Sequence, residues 1–170
     1  MEFIKFKDSE YPIYQAKGFA AKFIFPFAKE FCKGEGYDIG CMNIEWALPN
    51  SKPIDITLQE YDINNKLIDA YNLPSNNVDY IFSSHCLEHL TNWVDALNYW
   101  ISNIKKGGVL FIYLPDYSQE YWRPYHNRKH IHSFTPTIIY DYFNNHDNIL
   151  KFNVSGVDLN NSFAAYAIIK

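Results

Sequence analysis

The chain is 170 residues long and carries a formal net charge of −4, with 48% hydrophobic and 20% charged residues. A chain of this length can fold without disulfides or a structural metal, and its composition excludes disordered and low-complexity classes. The acidic balance disfavours a generic nucleic-acid coat and a protein that binds anionic membranes, because both are usually basic. No segment resembles a signal peptide or approaches the roughly 20 apolar residues of a membrane span, so we expect no membrane association.

The cysteines are few and scattered. Cys32, Cys41 and Cys86 form no Cys-x-x-Cys pair. An odd number without framework spacing predicts reduced thiols, which are typical of cytoplasmic proteins. The sequence contains no internal repeat and no linker, so we expect one domain over residues 1–170.

The first part of the chain predicts a helix and two short strands. Apolar residues at spacings of three and four predict a helix from about residue 14 to 32, kinked at Pro26. Residues 37–39 and 52–56 are predicted strands. Only about a dozen residues separate them, which leaves room for one or two helical turns near 45–48.

The remainder alternates strands with helices and ends in two strands. The predicted strands are 66–69 (weak), 78–82, 109–114, 150–155 and 163–169, and the predicted helices are 92–104 and 135–143. Lys105 to Gly108 are expected to cap the first of these helices through glycine at its end. This alternation predicts an α/β fold with a Rossmann-like, doubly wound, mostly parallel sheet and an antiparallel closing strand.

Ligands bind outside the carboxyl ends of the strands in such sheets. The segments that follow strands here are 38–41, 55–57, 83–89 and 114–117.

Several segments, in this order, resemble motifs of class I S-adenosylmethionine-dependent methyltransferases. Tyr37-Asp38-Ile39-Gly40-Cys41 is similar to the family's first motif, and residues 69–74 and 78–90 to its adenine-side segment and fourth strand. Residues 103–116 resemble its Gly-Gly turn and fifth strand. His132-Ser133-Phe134-Thr135-Pro136 and the short link between the first two strands resemble a small type-11-like subgroup. The series in order is more specific than any one motif.

This resemblance implies S-adenosylmethionine as the cofactor and assigns residues to it. The implied cofactor-binding residues are Asp38, Gly40, Cys41, Asp55, Asp69, Ala70 and His85. In the family, the acid at Asp38 lies close to the methionine part and the acid at Asp55 accepts from both ribose hydroxyls. The pair at Asp69 and Ala70 lies beside the adenine. From the residues alone, each carboxylate could instead cap a turn or be solvated.

The turn after the first strand departs from the family's Gly-x-Gly pattern. Gly40 is followed by Cys41-Met42-Asn43, with no second glycine, and we expect Asn43 to accept the left-handed backbone there. The alternative function is therefore a non-catalytic module of the same fold that has lost the cofactor and uses its aromatic residues in a homo-oligomer interface. A nicotinamide enzyme is disfavoured because Gly-x-Gly-x-x-Gly is missing.

Residues 123–132 contain two Arg, one Lys and three His in a net acidic chain. This cluster indicates a small anionic or sugar-like acceptor, with His130 or His132 as the base that takes its proton. A solvated loop and a metal site with Asp116 are the alternatives. His85, Glu88 and His89 also match the zinc-peptidase pattern His-x-x-Glu-His, but a strand exit at His85 is incompatible with it, so we predict no metal.

Overall fold

The computed structural model describes residues 2–7, 9–127 and 129–170. Its strands are β1 (Phe3–Phe6), β2 (Ser9–Pro12), β3 (Gly36–Ile39), β4 (Lys52–Ile54), β5 (Val78–Ser84), β6 (Ile104–Pro115), β7 (Ile149–Val154) and β8 (Ser162–Ile169). Its α-helices are α1 (Ile13–Ala16), α2 (Phe25–Phe31), α3 (Trp93–Asn103) and α4 (Pro136–Asn144). Single 3₁₀ turns lie at Ala20–Phe23, Ile44–Trp46, Ile56–Leu58, Leu87–His89 and Glu120–Trp122.

A six-stranded sheet in the order β4-β3-β5-β6-β8-β7 forms the centre, and β1 and β2 make a separate hairpin. β4, β3, β5 and β6 run parallel, whereas β8 is antiparallel to both of its neighbours. The α/β prediction with an antiparallel closing strand is confirmed. The chain moves outward from β3 to β4 and then returns to β5 on the other side of β3. This reversal is the point at which such sheets open a crevice for ligands.

The sheet is covered on both faces. One face packs against α3 and α4 through residues such as Trp100 and Ile139, and the other packs against α2 through Ala28. Neighbouring residues of β5, Ile81 and Phe82, contribute to opposite faces, because successive side chains of a strand alternate.

The predicted helix over residues 14–32 is wrong in its continuity. Gly18 has φ +91°, which an α-helix cannot accommodate, so the chain is divided into α1, a 3₁₀ turn and α2. Pro26 lies in the first turn of α2, where its missing N–H costs nothing, and it starts the helix instead of kinking it.

Two further expectations are wrong. α3 ends at an extended Ile104, and the segment from Lys105 to Gly108 begins β6 instead of capping the helix. Gly108 serves the strand contact, because a Cβ there would lie 2.6 Å from the Asp79 carbonyl oxygen. The weak strand over 66–69 is reduced to isolated bridges, one of them between Leu67 and Tyr61.

The other predicted strands and helices are confirmed with small shifts at their ends. Within the described ranges, none of the helices has the length and apolar character that crossing a membrane would require.

Candidate functional site

A cavity of about 690 Å³ opens at the carboxyl ends of β3, β4 and β5. Ile39 and Ile54 line the cavity at the strand ends. Its walls come from the segments that follow the three strands, from Gln15, Lys17 and Gly18, and from the segment after β6. The position agrees with the crevice expected where the strand order reverses. The volume lies within the range of about 300–1,000 Å³ that is usual for small-molecule sites.

The turn after β3 depends on one glycine and one non-glycine residue with positive φ. Gly40 has φ +85°, and a Cβ there would lie 2.4 Å from the Cys86 Cβ. The second left-handed residue is Met42, with φ +65°. Asn43 is extended and its side chain accepts from the Trp46 N–H at 3.0 Å. The expectation that Asn43 would be left-handed is therefore wrong, because the left-handed residue is Met42, one position earlier.

Asp55 holds this turn in place. One carboxylate oxygen accepts from the Met42 N–H at 2.8 Å, and the other accepts from the Thr57 N–H at 2.9 Å. The Thr57 hydroxyl lies 2.8 Å from the second oxygen. Asp55 also lies on the cavity wall. Since each carboxylate oxygen has two acceptor positions, the Met42-bonded oxygen keeps one of them for a ligand.

Asp38 and Cys41 lie behind the wall. The Asp38 side chain is buried and accepts from the Leu48 N–H at 2.6 Å. Burial raises the pKa of Asp38 to about 7, and the nearby charge of Asp55 adds to the rise. Burial likewise raises the pKa of the Cys41 thiol to about 12, so this cysteine stays protonated.

The predicted adenine-side pair is divided by the structure. Ala70 lies on the cavity wall, and its carbonyl accepts from the Trp100 indole N–H at 2.8 Å. The Asp69 carboxylate turns back to accept from the Tyr71 N–H at 2.8 Å. Asp69 is not among the residues that line the cavity.

His85 leaves β5 with φ +49°, so the predicted strand exit is confirmed. Its Nε2 lies 3.1 Å from the Ser162 hydroxyl. Burial, together with the charges of His130 and His89, lowers the pKa of His85 to about 3, which makes the ring neutral. Because this strand exit is followed by a single 3₁₀ turn, His85 and His89 do not share a helical face, and the peptidase arrangement does not form.

Three side chains converge on the wall near this exit, and we call Glu88, His89 and His130 the Glu88 cluster. Glu88 is fully buried, and burial raises its pKa to about 8. Nε2 of His89 and Nε2 of His130 each lie 3.9 Å from the same Glu88 carboxylate oxygen. His130 follows Glu88 by more than forty positions in the sequence, so no local pattern could have revealed the cluster.

The two histidines that were candidates for the base have different surroundings. His130 is buried and stacks on Trp122, with ring centroids 5.2 Å apart and planes at 11°. Burial and the charge of His89 lower its pKa to about 4. His132 Nε2 lies 3.2 Å from the Thr91 carbonyl oxygen, and His132 does not line the large cavity.

The cationic segment contributes only some of its residues to the cavity. Lys129 and His126 lie on the wall, whereas Arg123 stacks over the Tyr117 ring at 4.3 Å. Arg128, which was counted in this segment, is outside the described residues. Asp116 accepts from the Ser118 N–H at 2.9 Å and joins no three-ligand group among the residues that the structure describes.

Comparison with known proteins identifies the family. The model of a methyltransferase domain family matches residues 18–147, which is more than half of the chain, so the chain belongs to this family. It is an S-adenosylmethionine-dependent methyltransferase, as the resemblance predicted. A comparison with curated protein sequences found no significant match.

Solved structures of methyltransferases share the fold. A Thermotoga maritima S-adenosylmethionine-dependent methyltransferase, described as a possible histamine N-methyltransferase, aligns with a TM-score of 0.65 and 14% identity over 92% of this chain and 93% of its own. An S-adenosylmethionine-dependent methyltransferase from Archaeoglobus fulgidus gives 0.60 and 15% over 92% and 94%. The N-methyltransferase NodS from Bradyrhizobium japonicum, in complex with S-adenosylhomocysteine, gives 0.56 and 14% over 96% and 89%.

Proposed function

We propose that Gly40, Asp55, Ala70 and His85 hold S-adenosylmethionine in the cavity, and that its methyl group passes to a small anionic or sugar-like acceptor. The observation that carries the proposal is the open cavity itself. It persists although Cys41-Met42-Asn43 replaces the usual second glycine, because Asp55 secures the Met42 N–H and keeps the turn folded back.

The predicted cofactor residues divide into a wall and a support behind it. On the wall, the free acceptor position of Asp55 suits a ribose hydroxyl, and the small Ala70 leaves room for a flat ring. Behind the wall, we propose that Asp38, Cys41 and Asp69 shape the turns that the cofactor touches. Asp38 does so by accepting a hydrogen bond from the Leu48 N–H.

The acceptor end lies on the side of the cavity formed by residues 121, 122, 126, 127, 129 and 130. Lys129 and His126 provide positive charge or hydrogen-bond donors, and Trp122 and Tyr121 provide aromatic surface. Cations in a net acidic protein favour an anionic acceptor, and an aromatic face next to polar groups suits a sugar ring.

The methyl transfer needs no oxidant or reductant. The acceptor's oxygen or nitrogen forms a bond to the methyl carbon, the sulfur–methyl bond breaks, and the sulfur keeps the electron pair. Because the methyl group already rides on a positive sulfonium, the protein positions the reactants, excludes water and receives one proton. Of the two predicted bases, His130 is favoured because it lies on the cavity wall and His132 does not.

Isothermal titration with S-adenosylhomocysteine tests the proposal. We expect one site per chain in the native protein and at least several-fold weaker binding in Asp55→Asn, with Asp147→Asn as a matched control on an exposed turn. Absence of binding at millimolar ligand to native protein would reject the proposed site. An unchanged affinity in Asp55→Asn would reject the ribose role alone.

We also propose a cytoplasmic location, because the cysteines are free. The proposal further includes a single domain over residues 1–170 and a homo-oligomer built on the aromatic surface.

A further inference from the structure

The carboxylate of Glu88 is surrounded by three histidine rings: His85 Nδ1 lies 3.8 Å, and Nε2 of His89 and of His130 each 3.9 Å, from one of its oxygens. The side chain is fully buried, and neither of its oxygens has a hydrogen-bond partner among the described residues. A carboxylate removed from water without a donor or a cation costs several kcal/mol. Because Glu88 also lies on the cavity wall, whatever compensates it can enter from the cavity.

The spacing around this carboxylate suits a shared cation better than hydrogen bonds. The ligand atoms of Glu88, His89 and His130 all lie within 4.8 Å of one another, and both histidine nitrogens are 3.9 Å from the same oxygen. A hydrogen bond needs a distance of roughly 2.7–3.2 Å. Two donors that each bind a zinc ion at about 2.0–2.1 Å lie roughly 3–4 Å apart.

The orientation of His89 agrees with a ligand role. Its Nδ1 lies 2.7 Å from the Lys129 carbonyl oxygen. A carbonyl only accepts, so Nδ1 carries the proton and the lone pair of Nε2 faces Glu88. Histidines that bind metals usually donate their other ring N–H to a carbonyl or a carboxylate in this way.

We propose that Glu88, His89 and His130 bind a divalent transition-metal ion, with zinc as the leading chemistry, at the acceptor end of the cavity. Two imidazoles and one carboxylate favour zinc, manganese or iron over magnesium and calcium, which prefer oxygen ligands. From the sequence we predicted no metal, because the pattern from His85 to His89 requires a helix at His85 and a metal site with Asp116 was kept only as an alternative. The cluster instead combines the 3₁₀ turn Leu87–His89 with His130, which lies in the segment after β6.

Three protein ligands leave a coordination position open, as in catalytic zinc sites. This step rests on the proposed function, because the open position faces the place assigned to the acceptor. A hydroxyl bound there would have a lowered pKa and would lose its proton to water; its oxygen would then bond to the methyl carbon while the sulfur–methyl bond breaks and the sulfur keeps the electron pair. His130 then acts as a ligand and no longer receives the proton directly.

Direct metal binding tests the inference. Tag-free protein is stripped with a chelator, which is then removed, and is titrated calorimetrically with ZnCl₂ alone, without cofactor or acceptor. A parallel titration with CoCl₂ follows the visible absorption of bound cobalt. We expect one equivalent to bind with micromolar or tighter affinity, and Glu88→Gln and His130→Asn each to weaken binding at least tenfold, which is about 1.4 kcal/mol.

His146→Ala is the matched control, because His146 is a histidine outside the cluster, hydrogen-bonded to the Asn148 N–H at 3.2 Å. It should bind zinc as the native protein does. Glu88→Gln is nearly isosteric and removes a buried carboxylate, so it should stay folded in thermal melts and still bind S-adenosylhomocysteine.

Two results would overturn the metal site: no zinc uptake by stripped native protein, or equal uptake by Glu88→Gln and His130→Asn. Either could occur while S-adenosylhomocysteine binds normally, and then the proposed function would stand without the metal. Failure of the native protein to bind S-adenosylhomocysteine would count against the proposed function, whatever the zinc titration shows.

Discussion

A single methyl group added at Gly40 should be costly for two separate reasons. The residue has φ +85°, and an added Cβ would lie 2.4 Å from the Cys86 Cβ and 2.5 Å from its Sγ. A left-handed backbone costs a non-glycine residue about 1–2 kcal/mol, and overpacking a full site costs about 1–3 kcal/mol more. Gly40→Ala should therefore lower the free energy of unfolding by about 2–5 kcal/mol.

A double-mutant cycle separates the two contributions. Gly40→Ala, Cys86→Gly and the double variant are compared by urea denaturation followed by circular dichroism. Because Cys86→Gly removes both clashing atoms, the double variant should recover the overpacking part, a coupling of about 1–3 kcal/mol. The backbone part should persist.

Two outcomes would contradict these predictions for Gly40. A Gly40→Ala variant destabilised by less than about 0.5 kcal/mol, or a cycle whose coupling is zero, would mean that the turn relaxes and that Cys86 does not fix it. The same variants report on the site, because a displaced Gly40 should weaken S-adenosylhomocysteine binding along with stability.

Three further predictions concern the residues around the cavity. Burial raises the pKa of Asp38 from 3.8 to about 7, so Asp38 binds a proton more tightly in the folded protein than in the unfolded chain. Its contribution to the free energy of unfolding therefore falls as the pH rises from about 4 to 7, by about 4 kcal/mol in total. The Asp38→Asn variant should lack this loss, so in urea unfolding it should become more stable relative to the native protein as the pH rises over this range. A stability difference that stays constant with pH would refute the assignment. Trp100→Phe removes the donor to the Ala70 carbonyl and should cost about 1–3 kcal/mol in thermal or urea unfolding, whereas a loss below about 0.5 kcal/mol would show that water replaces the indole. Ala70→Leu fills the cavity wall and should weaken S-adenosylhomocysteine binding at least tenfold in calorimetry with little change in melting temperature; equal affinity would place the ligand elsewhere.

The strands of the six-stranded sheet and the two longest helices were predictable because their signals are local. The apolar run over residues 78–82 and the amphipathic pattern over 92–104 each determine an element that needs no distant partner to be recognised. Gly40 and the acids at strand ends were also visible as candidates, because a parallel sheet collects its strand ends at one edge.

Local signals misled where a distant atom or a single dihedral angle decided the outcome. Gly18 broke a helix whose apolar spacing looked continuous. Gly108 was assigned to a helix cap, but the close approach of the Asp79 carbonyl places it in β6. Met42 took the left-handed position because a carboxylate thirteen residues away holds its N–H.

The sequence by itself determined the order of the strands of the six-stranded sheet and of the two longest helices, the edge of the sheet where chemistry occurs and the family resemblance, since each of these follows from periodicity or from short contiguous motifs. Only the tertiary structure decided which candidates face the cavity, because the direction of a side chain determines whether its residue lines the cavity or supports the turn behind it. It also brought His130 to Glu88 and His89, and a contact between residues so far apart in the chain is created by folding and has no trace in local sequence.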